Sequence, residues 1–215
     1  LWTGPSQPWR DSPIESYIVT IKYLISSGYS VVRLNLVGEP SDYTDPHFYD
    51  LSQVNNCDAS IQTEIIAHSS FIVGANTGLT GFAQIIASLP TLAVDHPDLF
   101  PHSPWGRLLM LPKTLHIVNH SKFNSIDRKE LRFKLFSLNQ KWSSSNLDSL
   151  GIQCHPLTPQ QILVGTKELM HCIKYNHWKS KHHTSELGLF QHMRCNVLLS
   201  EQTYKTIGSI ISSYC

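Results

Sequence analysis

The chain has 215 residues, 41% of them hydrophobic, with 17 Lys and Arg against 16 Asp and Glu and a formal net charge of +1. This balance excludes a global signature of nucleic-acid binding or of an acidic tail, so any anion site must be local. The longest apolar runs are a few residues, too short for a bilayer-spanning helix, and residues 1–5 do not read as a signal peptide. The length suits one well-buried α/β domain with appended helices rather than two full domains.

Residues 1–11 read as a loop entered from something upstream. Ser12-Pro13-Ile14-Glu15 is a capping signal, with Ser12 as cap, Pro13 at the first helical position and Glu15 in the first turn. Ile14, Tyr17, Ile18, Ile21, Leu24 and Ile25 follow at helical spacing, and Gly28 predicts the stop. Val31 to Leu36 is a β-branched strand that runs into the loop Val37-Gly38-Glu39-Pro40. Arg33 is a cation inside it, open to two readings: a strand-edge Arg facing solvent or pairing with Glu39 or Asp42, or a planar fork aimed into a cleft to hold phosphate. Phe48 to Leu51 reads as a short strand, and Ala59 to His68 as a helix capped by Asp58.

The organising stretch runs from Ser69 to Asp95. Phe71 to Val73 and Leu92 to Val94 are short apolar runs without polar alternation, as strands covered on both faces would be. Leu79 to Ser88 supplies the crossover helix between them, and Pro90 blocks its continuation. The turn Gly74-Ala75-Asn76-Thr77-Gly78 therefore falls at the carboxyl end of a strand and the amino end of a helix, where unpaired N–H groups and the helix dipole favour an anion. Asn76 or Thr77 can cap the helix or donate to that anion; read alone, the turn is equally a plain capped turn.

Residues 96–107 form a Pro-rich aromatic loop leaving the next strand end, with His96, His102 and Arg107 either substrate-facing or ordinary loop polarity. Leu115 to Val118 reads as a fifth strand, Ser125 to Leu138 as a charged helix and Ser143 to Asn146 as a flexible break. Thr158-Pro159-Gln160-Gln161 opens a capped helix to about Tyr175, and 201–212 reads as a last helix. The alternation predicts a doubly wound parallel α/β sheet over residues 1–142, with a helical C-terminal extension over 147–215 packing on it.

Cys57, Cys154, Cys172, Cys195 and Cys215 are odd in number and lack CxxC spacing, which points to a reducing, cytoplasmic compartment. Cys172, His177, His192 and Cys195 can be written as a zinc set, but the spacing matches no zinc pattern. The basic connector 177–185 is too short and too poor in aromatics to argue for nucleic acid.

Three segments taken in order, Arg10 to Tyr17, Leu24 to Leu34 and Phe71 to Leu79 with Pro90 beyond, resemble the C-terminal nucleotide-sugar-binding domain of a GT-B glycosyltransferase. The likeness covers roughly residues 8 to 112. It is nearest a bacterial surface-polysaccharide group and looser to heptosyltransferases and fucosyltransferase-like enzymes. The resemblance implies a Rossmann-like half of a two-domain enzyme that moves a sugar from a nucleotide donor to a glycan or lipid-linked acceptor, without metal or other cofactor. It places Gly74, Asn76, Thr77, Gly78, Leu79 and Arg33 at the donor diphosphate, and Glu39, His96 and Arg107 at the ribose or sugar. It also implies a first strand ahead of Trp9 and an N-terminal domain carrying the acceptor site and general base, so no catalytic residue is named. Asn76-Thr77-Gly78 stands where Asp-Thr-Gly or Thr-Ser-Gly is common, and Gly81 replaces a His of the heptosyltransferase pattern. A non-catalytic nucleotide or sugar-phosphate binding module, a degenerate remnant and a nucleotide-sugar epimerase are the alternative readings.

Overall fold

The computed structural model describes residues 12–34, 40–54, 58–75, 77–85, 87–96, 107–112, 114–117, 144–176 and 197–199. They form a mixed α/β structure of small sheets and helices, with parallel pairing in two of its three sheets.

The first helical segment begins as a 3-10 turn, Ile14–Tyr17, and continues as α1, Ile18–Ser26. Its start corrects the sequence expectation. Pro13 takes the cap position in an extended conformation, and no side chain caps the turn, because the Ser12 hydroxyl donates to Asp95 instead. The end is as expected. Gly28 sits at φ +88°, its N–H reaches Ile25 O at 2.9 Å and Tyr29 N–H reaches Leu24 O at 3.1 Å. Those two bonds are the Schellman arrangement that a left-handed glycine permits.

Strands β1 (Val31–Arg33) and β2 (Phe48–Asp50) pair in parallel, with Arg33 opposite Asp50. Helix α2 (Ala59–Ala67) carries the Asp58 cap, which accepts from Ser60 N–H and Ile61 N–H. Then come β3 (Ile72–Ala75), α3 (Gly78–Ile85) and β4 (Thr91–His96). The two strands are parallel neighbours, Ile72 opposite Thr91 and Ala75 opposite Val94, so the strand, helix, strand reading of the organising stretch holds.

Beyond β4 the structure adds strands that periodicity did not reveal. Leu108–Pro112 is β5, parallel to β4; it is a continuous apolar run like β3 and β4, which periodicity alone does not separate from a buried helical segment. Strand β6 (Thr114–Ile117) matches the expected fifth strand but pairs antiparallel with β7 (Ile152–His155) in a separate two-stranded sheet. Between these, Ser144–Ser149 is a short helix, α4, where a flexible break was expected. Helix α5 (Pro159–Tyr175) opens on the expected capping box between Thr158 and Gln161. Strand β8 (Val197–Leu199) pairs with β5 and completes the order β3-β4-β5-β8. The residues after 147 thus contribute strands as well as helix. The helices expected over 125–138 and 201–212 lie outside the described residues.

The core has two parts because alternate side chains of a strand point to opposite faces. On one face Leu92, Val94, Leu109 and Leu111 pack with Leu157 and with Ile162, Leu169 and Cys172 of α5. Burying each large side chain contributes about 1.5–3 kcal/mol. Gly165 lets α5 approach closely, since a Cβ there would stand 3.3 Å from methyls of both Leu92 and Leu111. On the other side Ile66 of α2 and Ala83 of α3 pack with Leu89, Ile72, Leu79 and Leu34. Cys172 is thus a core residue, and its three partners in the hypothetical zinc set lie outside the described residues. Among the described residues no helix is long and apolar enough to cross a membrane.

Candidate functional site

Ala75 ends β3 and Gly78 begins α3, so the turn between them lies at the carboxyl edge of the parallel strands. Thr77 caps the helix through a reciprocal pair: Thr80 Oγ1 accepts from Thr77 N–H at 2.8 Å, and Thr77 Oγ1 lies 3.5 Å from Thr80 N. The Thr80 hydroxyl also lies 3.0 Å from Ala75 O and 2.9 Å from Thr77 O, tying the helix start back to the strand end. A Thr three residues after the cap does here what Glu or Gln does in a capping box.

The geometry sorts the N–H groups of the turn. Those of Thr77 and Thr80 are directed to each other's hydroxyls, whereas those of Gly78 and Leu79 find no acceptor among the described residues. First-turn amides have no intrahelical partner and sit at the positive end of the helix dipole, so they suit an anion. Thr77 and Gly78 are exposed, and a Cβ on Gly78 would meet nothing within 4 Å. The Leu79 side chain packs on the α2–α3 core, so only its backbone is available to a ligand. Gly74 is not required by crowding: a Cβ there would stand at an ordinary 3.5 Å from Thr80 Cγ2.

A buried polar network lies beside this turn, and reading the sequence did not find it. Asp95, near the carboxyl end of β4, is 1% exposed and adopts φ 55° where the pairing with β5 shifts register. Its carboxylate accepts from the Ser12 hydroxyl and, at 2.7 Å, from Leu157 N–H. Tyr17 Oη donates to Ser12 Oγ at 2.8 Å. Burial pushes the Tyr17 phenol well above its ordinary range; hydrogen bonding with Ser12 and with the Ala75 backbone opposes that, and the Asp95 charge adds to it. The network joins the segment before α1, the ends of β3 and β4, and the approach to α5. The signal available beforehand was only that an Asp followed an apolar strand.

The remaining candidates separate. Arg33 Nη1 meets Asp50 Oδ2 at 2.8 Å, with the two side chains 13% and 3% exposed. Burial is the largest single influence on Asp50 and would raise its pKa. Hydrogen bonds from Ser41 and Ser52, with Arg33, outweigh it and hold the carboxyl below the usual carboxylate range. Asp50 meets Arg33 because parallel pairing sets it directly opposite; of the partners expected from the sequence, Glu39 lies outside the described residues. Arg107 precedes β5, its carbonyl accepts from Thr91 N–H at 2.8 Å, and its Nη2 lies 3.5 Å from Ser88 O. It therefore stands at the amino edge of the sheet, about 13 Å along β4 from the carboxyl edge, and does not join the turn. His96 closes β4 at the carboxyl edge. Asn76 and Glu39 lie outside the described residues.

Among the described residues no three His, Cys, Asp or Glu side chains come together as metal ligands would. Comparison with protein-family models, with curated proteins and with solved structures gives no match.

Proposed function

We propose that the start of α3 binds the diphosphate of a nucleotide-linked sugar, and that the chain is the donor-binding, doubly wound half of a GT-B glycosyltransferase. One observation carries the reading: the N–H groups of Gly78 and Leu79 are without acceptors among the described residues, at an exposed helix start on the carboxyl edge of parallel strands. Aligned amides can stabilise the charge of a departing diphosphate without a metal. The order of motifs over residues 8 to 112 supplies the sugar-nucleotide part of the reading, with a glycan or lipid-linked acceptor held by a further domain.

A second reading, a non-catalytic nucleotide or sugar-phosphate binding module, is favoured by the placement of the two cations. Arg33 is engaged with Asp50, and Arg107 lies at the amino edge.

Thermal-shift measurements with UDP-, GDP- and CMP-linked sugars test binding. A shift with one of the three and not the others supports donor recognition, and transfer or slow hydrolysis of that donor separates enzyme from module. Absence of any shift at millimolar ligand removes both readings.

A further inference from the structure

Ala75, the last residue of β3, is held by two hydroxyls that come from other parts of the chain. Ile72 N–H reaches Pro90 O at 3.0 Å, and successive residues of a strand direct their N–H groups to opposite sides. The Ala75 N–H, three residues on, therefore faces away from β4, and the Tyr17 hydroxyl is hydrogen-bonded to the Ala75 backbone. The result is a chain of bonds with one direction. Ala75 N–H donates to Tyr17 Oη, Tyr17 Oη donates to Ser12 Oγ at 2.8 Å, and Ser12 Oγ donates to the Asp95 carboxylate. It begins on a group that can only donate and ends on one that can only accept, so neither hydroxyl can turn round without breaking it. Hydrogen bonds aligned in this way strengthen one another in a surrounding of low dielectric.

The carbonyl of the same residue meets Thr80. That hydroxyl lies 3.0 Å from Ala75 O and accepts from Thr77 N–H at 2.8 Å. Thr80 is 3% exposed, and its Cγ2 stands 3.5 Å from the place that a Cβ on Gly74 would take. The methyl is thus set against β3 and the hydroxyl against the turn, which leaves a β-branched side chain little freedom.

Tyr17 belongs to the 3-10 turn that leads into α1, and Thr80 to α3. Where the turn after Ala75 stands therefore depends on how both helical segments dock on β3, and not on the turn's own sequence alone. Donors fixed before a ligand arrives cost no reordering when it binds.

We propose that Tyr17 and Thr80 are positioning residues for the anion at α3: they hold the two backbone groups of Ala75 and so fix where the amides of Gly78 and Leu79 stand. Both act through Ala75 rather than on the ligand. This rests on the reading of that helix start as a diphosphate site and adds two residues to it that the family likeness does not name.

NMR titration of the 215-residue chain with inorganic pyrophosphate, followed at the amides of Gly78 and Leu79, tests it. Thr80→Val keeps the shape and removes the hydroxyl, Thr80→Ser keeps the hydroxyl, and Tyr17→Phe keeps the ring. Thr80→Val and Tyr17→Phe should each weaken binding about three- to tenfold, the equivalent of one neutral hydrogen bond. Thr80→Ser should stay within about twofold of wild type on the same scale. Urea unfolding of each variant shows that the titrated protein is folded; a merely structural role would lower the urea midpoint and leave the affinity of the folded protein unchanged. Wild type that binds while Thr80→Val and Tyr17→Phe bind equally well would overturn this proposal and leave the diphosphate reading standing, and Thr80→Ser as weak as Thr80→Val would remove the Thr80 hydroxyl from it. Wild type that shows no response at these two amides in millimolar pyrophosphate would remove the diphosphate reading, and the positioning roles with it.

Discussion

The Ser12 hydroxyl donates to the Asp95 carboxylate across 83 positions of sequence, anchoring the segment that enters α1 to the bulged end of β4. Asp95→Asn keeps the shape and the tolerance of a left-handed backbone but turns a donor toward Ser12 or Leu157 N–H. Leaving a buried group unsatisfied costs about 1–3 kcal/mol. Asp95→Ala adds backbone strain at φ 55°, so urea unfolding should rank the losses D95A above D95N above S12A. Equal stability of D95N and wild type would contradict this account.

Gly78→Pro isolates the ligand-facing role of the helix start. Proline is well accepted at the first helical position, where the N–H has no intrahelical partner, so stability should change by less than about 1 kcal/mol. The same change deletes one of the two amides proposed to hold the diphosphate. A hydrogen bond to a charged group is worth about 1.5–3 kcal/mol, and nucleotide affinity should fall about tenfold or more. Unchanged affinity in calorimetric titration would move the site elsewhere.

The Arg33–Asp50 pair should dominate part of the acid limb of stability. Asp50 has a folded pKa below its unfolded value, so its contribution is present above about pH 3.9 and disappears as pH falls through the folded value. Asp50→Asn should cost roughly 3 kcal/mol at pH 7, since it removes the carboxylate that faces a mostly buried guanidinium. Urea midpoints for wild type and D50N should converge as pH is lowered toward 3.

Tyr17 sets the opposite limb. Its folded pKa is raised, so stability does not depend on it below the ordinary tyrosine value near 10. Above that pH the unfolded chain ionises first and stability declines. Tyr17→Phe should flatten the decline between pH 10 and 11, when unfolding is followed by tryptophan fluorescence. A decline as steep as that of wild type would assign it to other groups.

Gly165 is where α5 comes closest to the sheet. Leu92 and Leu111, which a Cβ would press at 3.3 Å, are 0% and 1% exposed and have little room to move. Gly165→Val should therefore lower stability by about 1–3 kcal/mol through overpacking. A gain in the thermal midpoint would show that the helix can lift away without loss.

Much of the local structure was legible because its causes are local. Asp58 and Thr158 cap helices with neighbours two and three residues away, and Gly28 ends α1 through the left-handed conformation it alone adopts cheaply. The crossover from β3 through α3 to β4 was readable from two apolar runs with a helical pattern between them. Strand β5 is an apolar run of the same kind, but no helical pattern joins it to β4 to mark the pair as a crossover. The anion-binding turn was legible in outline, but not which amides remain available, because that depends on the Thr77–Thr80 pairing.

The amino-acid order by itself determined where helices start and stop and that parallel strands would enclose a turn at their carboxyl edge, since caps, glycine conformations and periodicities act over a few residues. Only the tertiary structure decided that Ser12 serves Asp95 instead of a helix cap, that Arg33 meets Asp50, and that Arg107 falls at the far edge of the sheet. A side chain with several possible partners takes the one that strand register and packing bring within hydrogen-bonding distance, and register between strands distant in sequence is a property of the folded chain.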